Sequence, residues 1–254
     1  MRDAGNWEFV LATDLDGTFL GGSDTDRAAL YRAIDAARHR MGLVFVTGRD
    51  PAFIEQLCVG SGVPWPDYVV GDVGTTIAEM KDRTVTPIAH LEAPIAEAWG
   101  DRGDDVRAAL SAAPGLTLQP TPFRYRVSYD YDAAAYDGTA ERIVAEMGLD
   151  HLISANIYFD VLPKGVSKGP SLVRLVDHLE IDPQKVLVAG DTMNDWSMFE
   201  TGLPAVAVGG SERPLVERVR ELPHAHLAGG IGAAGIAEAI ERFRLAPGLL
   251  ADSR

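Results

Sequence analysis

The chain has 254 residues, a length that suits one large α/β domain or a core domain with an inserted module. Its 23 basic and 37 acidic residues give a net charge of −14, which repels nucleic acids and anionic membranes, so we expect neither as a partner. The single cysteine, Cys58, excludes an intrachain disulfide and a cysteine-cluster metal site.

The start of the chain, Met1–Trp7, is polar and lacks the apolar centre of a signal peptide. No apolar run approaches the roughly 18 residues that a membrane span needs. We therefore expect a soluble, cytoplasmic protein.

Strands and helices are predicted to alternate over residues 1–80. The apolar runs Phe9–Ala12 and Leu43–Val46 are typical of strands buried on both faces, and Tyr68–Val70 is a third, shorter run. Ser23 and Pro51 carry the signals of helix starts between these runs. The order β-α-β-α-β predicts a parallel sheet with right-handed crossovers.

The pattern changes in the segment 81–165, where strands and helices no longer alternate strictly. This segment is predicted to be a smaller α+β module inserted into the core. Its predicted strands are Thr84–Ile88, Leu116–Gln119, Phe123–Tyr131 and Ile157–Leu162, and its predicted helices are Asp104–Ala112 and Thr139–Met147.

Alternation returns in the segment 166–254, which we assign with residues 1–80 to one core. Leu172–Leu179 has the apolar spacing of a helix, and Val186–Ala189 is another buried strand. A strand at Ala205–Val208 and helices at Arg213–Arg220 and Ala233–Arg242 complete the core. The predicted fold class is α/β, with a Rossmann-like parallel sheet.

Polar residues follow three of the buried strands at the point where each strand ends. Asp14 and Asp16 follow the first strand, Thr47 follows the second, and the run Asp191–Asp195 follows Val186–Ala189. In an open parallel sheet, ligands bind outside the carboxyl ends of the strands. Two carboxylates pointing the same way from one strand end also favour a divalent cation. The sequence therefore predicts a functional site at this edge.

Four segments at these positions resemble the four motifs of haloacid dehalogenase-type phosphatases. They are Asp14–Thr18, Thr47–Arg49, Lys168–Gly169 and Gly190–Asp195, in the order and spacing of that family. The resemblance implies a Rossmann-like core with a cap domain inserted between the second and third motifs.

Two further segments refine the resemblance. Leu162–Gly169 resembles the type IIB subgroup of sugar-phosphate phosphatases, and Val73–Thr75 resembles sucrose-phosphate phosphatases and their relatives that act on other glycosyl phosphates. Many other type IIB members have an Asn-Gly pair where this chain has Val73-Gly74.

The resemblance implies a role for each motif residue. Asp14 is the nucleophile that forms an aspartyl-phosphate, and Asp16 is the general acid and base. The Mg²⁺ ligands implied are Asp14, the backbone carbonyl of Asp16, and Asp191, while Asn194 and Asp195 orient waters and Lys168 from a second layer.

The transferring phosphate is expected to contact Thr47 and Lys168, with Gly48, Arg49 and Asn194 as further binding residues. Alternatives remain for several positions. Thr47 could cap the Pro51 helix, Lys164 competes with Lys168, Arg49 could pair with an acidic neighbour, and Asp72 could form a turn instead of facing the cleft.

Substrate choice is expected to depend on the cap and on the Gly71–Thr76 turn. The cap residues proposed as sugar contacts are Arg124, Arg126, Tyr129, Asn156 and Tyr158, with His90 and Glu92 as similar candidates. For each of them a solvated or core-lining role is also open.

These observations predict a Mg²⁺-dependent phosphatase acting on a phosphorylated sugar or disaccharide, such as a sucrose phosphate, through an aspartyl-phosphate. A phosphosugar mutase of the related fold is an alternative and predicts an isomerised sugar phosphate as product. A signalling receiver domain is a second alternative. Such a domain has about half this length, and its phosphorylated aspartate should not belong to an Asp-x-Asp pair on the first strand.

Overall fold

The computed structural model describes residues 7–246, so the polar segment before Trp7 lies outside the described residues. The chain forms two compact units. The first comprises the described residues up to Pro87 together with Lys168 and the residues that follow it, and the second comprises Ile88–Ser167. Within residues 7–246, none of the helices has the length and apolar character of a membrane span.

The strands in chain order are β1 (Phe9–Thr13), β2 (Met41–Val46), β3 (Tyr68–Gly71), β4 (Thr76–Lys81), β5 (Thr84–Pro87), β6 (Leu116–Leu118), β7 (Val127–Tyr131), β8 (Asp150–Ser154), β9 (Tyr158–Leu162), β10 (Val186–Gly190), β11 (Ala205–Gly209) and β12 (Ala225–Ile231). The α-helices are α1 (Asp24–Ala37), α2 (Pro51–Cys58), α3 (Ala89–Trp99), α4 (Gly103–Ala109), α5 (Thr139–Glu146), α6 (Lys168–His178), α7 (Trp196–Phe199), α8 (Arg213–Val219) and α9 (Ala233–Phe243).

The first unit is built on an eight-stranded sheet of order β12-β11-β10-β1-β2-β3-β4-β5. The strands from β12 to β3 pair in parallel, and β4 and β5 extend the sheet as antiparallel strands. Every residue of β1 and β2 is buried, as the apolar runs predict. The predicted α/β class is confirmed, with an antiparallel edge added to the parallel sheet.

The boundaries of the inserted unit differ from the predicted 81–165. The predicted strand Thr84–Ile88 belongs to the core sheet, where β5 pairs with β4. Asp82 and Arg83 between them both have positive φ, 50° and 64°, which is the backbone of a tight hairpin turn. Because this turn folds β5 back onto the sheet, the second unit begins only at Ile88.

The second unit is an α+β module with a four-stranded antiparallel sheet of order β6-β7-β9-β8. Alternate residues of β7 and β9, such as Val127, Tyr129, Phe159 and Val161, pack with Trp99 of α3 into its apolar core. The other residues of these strands therefore form the opposite face of the sheet.

Candidate active site

Strand order brings the motif-bearing strand ends together in the first unit. β1 lies between β10 and β2 in parallel register, so the three strands end at the same edge of the sheet. Asp14 directly follows β1, Thr47 follows β2 and Asp191 follows β10. The predicted edge site therefore has its strand-borne residues on neighbouring strands.

Lys168, from the third motif, contacts residues of the first and fourth motifs. Its side chain is fully buried, and Nζ lies 2.7 Å from Asp14 Oδ1, 2.6 Å from Asp195 Oδ1 and 3.1 Å from Asn194 Oδ1. The close approach of α6 to α7 depends on Gly169, because a Cβ at this position would lie 1.9 Å from the carbonyl oxygen of Ser197. Lys164 is exposed, so the geometry favours Lys168 for the cluster.

Burial sets the electrostatics of this cluster. It raises the pKa of the Asp14 carboxyl well above its ordinary value, and the Lys168 ammonium offsets only part of that effect. Burial alone lowers the pKa of Lys168, but Asp14 and Asp195 outweigh it, so this pKa lies above its ordinary value. Lys168 is therefore a permanent cation among carboxylates.

Asp191 is held beside the turn that follows β1. Thr18 Oγ1 donates to Asp191 Oδ1 at 2.7 Å. Gly17, with a φ of 82°, lies so close to the Asp191 carboxylate that there is no room for a side chain between them. Burial, followed by the nearby charge of Asp195, raises the pKa of Asp191 to about 6. Asp191 is thus a desolvated carboxylate next to other carboxylates.

The carboxylates fit a divalent cation. Asp14, Asp191 and Asp195 can each offer one oxygen within 4.8 Å of the others, and the single positive charge of Lys168 beside them does not balance three carboxylates. A small hard cation with oxygen ligands balances such a set. Asp195 uses Oδ1 for Lys168 and Oδ2 for the backbone N–H groups of Asp191 and Thr192, which suits an orienting role better than ligation.

The loop after β2 does not use Thr47 as a helix cap. Asp50 caps α2 by accepting from Phe53 N at 3.0 Å, whereas Thr47 Oγ1 accepts from Arg49 N at 3.1 Å. Thr47 is buried, and Gly48 follows it within the same loop. Their predicted contacts with phosphate stay predictions.

A strained turn after β3 supports this loop. Asp72 and Val73 have φ values of 51° and 60°, which are rare for any residue with a side chain and most of all for a β-branched one. Asp72 N donates to Arg49 O at 3.0 Å and Val73 N donates to Thr47 O at 3.1 Å. Asp72 is buried and accepts from Thr76 Oγ1 at 2.6 Å, so it is a turn-forming residue.

The same turn also contacts the lysine helix. Ser171 of α6 donates from Oγ to the Gly74 carbonyl at 2.6 Å. The strained turn thus ties the Thr47 loop to the helix that begins at Lys168, and it holds two of the predicted phosphate-binding segments at a fixed spacing.

Arg49 pairs with Asp16 in the structure. Its Nε lies 2.8 Å from Asp16 Oδ2 and its Nη2 lies 3.0 Å from Asp16 Oδ1, a two-pronged ion pair. Arg49 was expected either to bind phosphate or to pair with an acidic neighbour, and the structure shows the pair with an acidic neighbour.

Three of the candidate sugar residues in the second unit, Arg124, Arg126 and Glu92, form ion pairs within that unit. Arg124 makes two bonds of 2.8 Å to the buried carboxylate of Glu92. Arg126 pairs with Asp160 at 2.8 Å, both are buried, and Ser128 also donates to Asp160.

The remaining cap candidates have other structural positions. Asn156 is an exposed residue with a φ of 54° in the tight turn between β8 and β9, a position that asparagine favours for its backbone. Tyr129 packs in the apolar core, whereas His90 and Tyr158 are exposed. Sugar contacts of the cap residues stay predictions.

Residues 7–244 match the sequence model of the family described as sucrose-6F-phosphate phosphohydrolase. The chain belongs to this family. The predicted resemblance to haloacid dehalogenase-type sugar phosphatases is thereby confirmed, as is the predicted enzyme class, a phosphoric monoester hydrolase.

Curated relatives agree with the sucrose-phosphatase family. The mannosylfructose-phosphate phosphatase of Agrobacterium fabrum is 30% identical over 94% of this chain and 98% of its own length. The probable sucrose-phosphatase 3a of Arabidopsis thaliana is 31% identical over 94% of this chain but only 60% of its own length. The glucosylglycerol-phosphate synthase of Pseudomonas anguilliseptica is 39% identical over 92% of this chain, which spans 30% of that longer protein.

A solved structure of a sucrose-phosphatase is similar to this chain over almost its whole length. The sucrose-phosphatase of Synechocystis, in complex with sucrose and phosphate, superposes with a TM-score of 0.83 at 26% identity over 94% of this chain and 98% of its own. Membership of the sucrose-phosphatase family favours a phosphatase over the mutase and receiver alternatives.

Gly17 offers a test of whether Asp191 takes part in a divalent-cation site. A Cβ at Gly17 would lie 2.2 Å from Asp191 Oδ2, so we expect Gly17→Ala to displace Asp191. If Asp191 binds the predicted Mg²⁺, the Mg²⁺ concentration that gives half-maximal phosphatase activity should rise by about 10- to 100-fold, the range for lost support of a metal ligand.

Gly202→Ala is the matched control for Gly17→Ala. Gly202 has a similar φ of 79°, and a Cβ there would meet no atom of the described residues within 4 Å. This variant therefore carries the backbone strain without the clash. Equal Mg²⁺ requirements in the two variants would show that Gly17 does not position Asp191.

Proposed function

We propose that the chain is a Mg²⁺-dependent phosphatase that hydrolyses the phosphate monoester of a glycoside through an aspartyl-phosphate on Asp14. The observation that carries the proposal is the buried Lys168, bonded to Asp14, Asn194 and Asp195 at the sheet edge of a sucrose-phosphatase family member. Lysine places a fixed positive charge beside the carboxylate that attacks phosphorus.

The reaction has two displacements at phosphorus. In the first, an Asp14 oxygen bonds to phosphorus, the bond from phosphorus to the sugar oxygen breaks, and Asp16 gives that oxygen its proton. In the second, water attacks phosphorus, Asp16 takes a proton from the water, and the Asp14–phosphorus bond breaks to release inorganic phosphate. Lys168 and Thr47 hold the transferring phosphoryl oxygens in both steps.

Mg²⁺ would be held by Asp14, Asp191 and the backbone carbonyl of Asp16, and it would neutralise charge on the phosphoryl group. Asn194 and Asp195 keep Lys168 and the ligand waters oriented. Asp195 is suited to this task because backbone amides and Lys168 fix both of its oxygens.

The substrate class follows from the relatives that match most of this chain. Their names give sucrose phosphate and mannosylfructose phosphate as substrates and glucosylglycerol phosphate as a product. Each is a phosphate ester of a glycoside, so we propose that class for this chain.

A screen with Mg²⁺ tests the substrate class. It compares kcat/KM for phosphate release from sucrose 6-phosphate, mannosylfructose phosphate, glucosylglycerol phosphate and simple hexose phosphates. We expect the highest value on one of the three glycoside phosphates. Turnover of hexose phosphates alone would contradict the substrate class, and no phosphate release from any compound would contradict the phosphatase itself.

Removal of the metal is expected to stop the reaction. EDTA should abolish phosphate release and Mg²⁺ should restore it, because the clustered carboxylates need a divalent cation before they can accept a phosphate dianion. Asp191→Asn should need more Mg²⁺ than the exposed control Asp177→Asn. Full activity in EDTA would contradict metal dependence.

Asp16→Asn is expected to separate proton transfer from metal binding. Turnover of a glycoside phosphate should fall by about 10²- to 10⁴-fold, the usual contribution of a general acid or base. Mg²⁺ affinity, measured by calorimetry, should change little, because asparagine keeps the backbone carbonyl. A large loss of Mg²⁺ affinity would instead make the Asp16 side chain a ligand.

A further inference from the structure

The ion pair between Arg49 and Asp16 occupies both oxygens of the proposed general acid. Nε and Nη2 of Arg49 donate to the two Asp16 oxygens at 2.8 and 3.0 Å. The side chains are 43% and 55% exposed, so solvent screening makes the pair a weak source of fold stability. Its geometry, in contrast, fixes the direction of the carboxylate.

Arg49 is itself anchored at several points of the first unit. Its backbone N–H donates to Thr47 Oγ1 at 3.1 Å, and its carbonyl accepts from Asp72 N at 3.0 Å. The guanidinium lies over the Phe53 ring, 4.5 Å from the ring centroid. Arg49 is therefore held in place by the Thr47 loop and the strained turn through its backbone, and by α2 through its guanidinium.

Asp16 has less support from its own segment. It lies in extended backbone, at φ −71° and ψ 121°, immediately before Gly17 in the left-handed region. A half-exposed carboxylate beside a glycine samples several rotamers unless another side chain holds it. Proton transfer requires the acid to stay within about 3 Å of the leaving oxygen.

We propose that Arg49 is a positioning residue for Asp16, whose carboxylate it aims for proton transfer to the leaving sugar oxygen. The proposal rests on the proposed function, in which Asp16 is the general acid.

Leaving-group dependence distinguishes this role from direct phosphate binding. Substitution of a residue that positions the general acid lowers kcat/KM most when the leaving oxygen is strongly basic. It lowers kcat/KM least when the leaving group departs without a proton. A residue that binds phosphate affects all substrates alike, because every substrate carries the same phosphate.

The experiment measures kcat/KM of wild type and Arg49→Gln on substituted phenyl phosphates and on sucrose 6-phosphate with Mg²⁺. This parameter covers the steps through formation of the phosphoenzyme. We expect a loss of about threefold or less for 4-nitrophenyl phosphate and about 10- to 100-fold for unsubstituted phenyl phosphate and the sugar phosphate, which is part of the roughly 10²- to 10⁴-fold contribution of a general acid.

Further variants give the controls. In an Asp16→Asn background, Arg49→Gln should cause no additional loss, because the group that it positions is gone. Phe53→Leu should reproduce a smaller form of the same leaving-group dependence. Arg40→Gln removes another partly exposed ion pair, to Glu8 at 2.7 Å, and should leave every rate unchanged.

A uniform loss across leaving groups, or an additional loss in the Asp16→Asn background, would overturn the positioning role and assign Arg49 to the phosphate. Unchanged rates in Arg49→Gln would overturn it as well. If wild type releases no phosphate from any of these compounds, the proposed phosphatase function fails instead, so the two failures are distinguishable.

Discussion

Asp14→Asn is expected to abolish phosphate release, with a loss of at least about 10⁴-fold, the order found when a covalent nucleophile is removed. An amide cannot displace the sugar oxygen from phosphorus, and the other groups of the proposed mechanism bind, orient or transfer protons without attacking phosphorus. Phosphate release from the substrate identified in the screen measures the loss. Activity within tenfold of wild type would exclude Asp14 as nucleophile.

The fold of the Asp14→Asn variant should remain intact. Lys168 keeps its 2.6 Å ion pair with Asp195, and one of several clustered carboxylates loses its charge. Because that change relieves repulsion, we expect the melting temperature in EDTA to equal or exceed that of wild type. A lower melting temperature would mean that the lost activity reports unfolding as well as chemistry.

Lys168→Met is expected to lower both stability and activity. The ammonium is fully buried and bonded to two carboxylates, so its removal leaves those charges without their cation. Breaking a buried pair in this way costs about 3–5 kcal/mol, and we expect that loss in the free energy of unfolding measured in EDTA. Phosphate release should also fall by about 10²- to 10³-fold, as when a fixed transition-state contact is lost.

Two comparisons isolate the cause of the Lys168 effect. Lys164→Met removes an exposed lysine four residues earlier and should change neither stability nor rate. Asp14→Asn added to Lys168→Met should recover part of the lost stability, because one uncompensated carboxylate disappears. If Lys168→Met unfolds in EDTA at the same denaturant concentration as wild type, the buried ion pairs do not support the fold.

The buried strands of the core were predictable because each is a short, fully apolar run. Ser23 also marks its helix correctly, since its side chain accepts from Asp26 N at the start of α1. β4, β8 and β12 lacked this signal because they are only partly buried, and β12 contains two glycines. α3 was missed because it begins without a side-chain cap and contains Pro94.

The positions of the site residues were predictable to the extent that they follow strand ends. Contacts between distant segments were not, since Thr18 and Asp191 are 173 residues apart in the chain. The left-handed backbone of Val73 has no sequence signal, because valine is among the residues least suited to it. The Arg49–Asp16 pair was one of two open alternatives until the strand order brought both residues to the same edge.

Trapping the phosphoenzyme tests the central proposal most directly. Acid quench within the first turnovers of a ³²P-labelled glycoside phosphate, followed by proteolysis and mass spectrometry, should place a base-labile phosphoryl group on Asp14. The label should be absent from Asp14→Asn and should accumulate when water attack is slowed in Asp16→Asn with an aryl phosphate. Rapid phosphate release with no label on Asp14, or label on another residue, would contradict the aspartyl-phosphate mechanism.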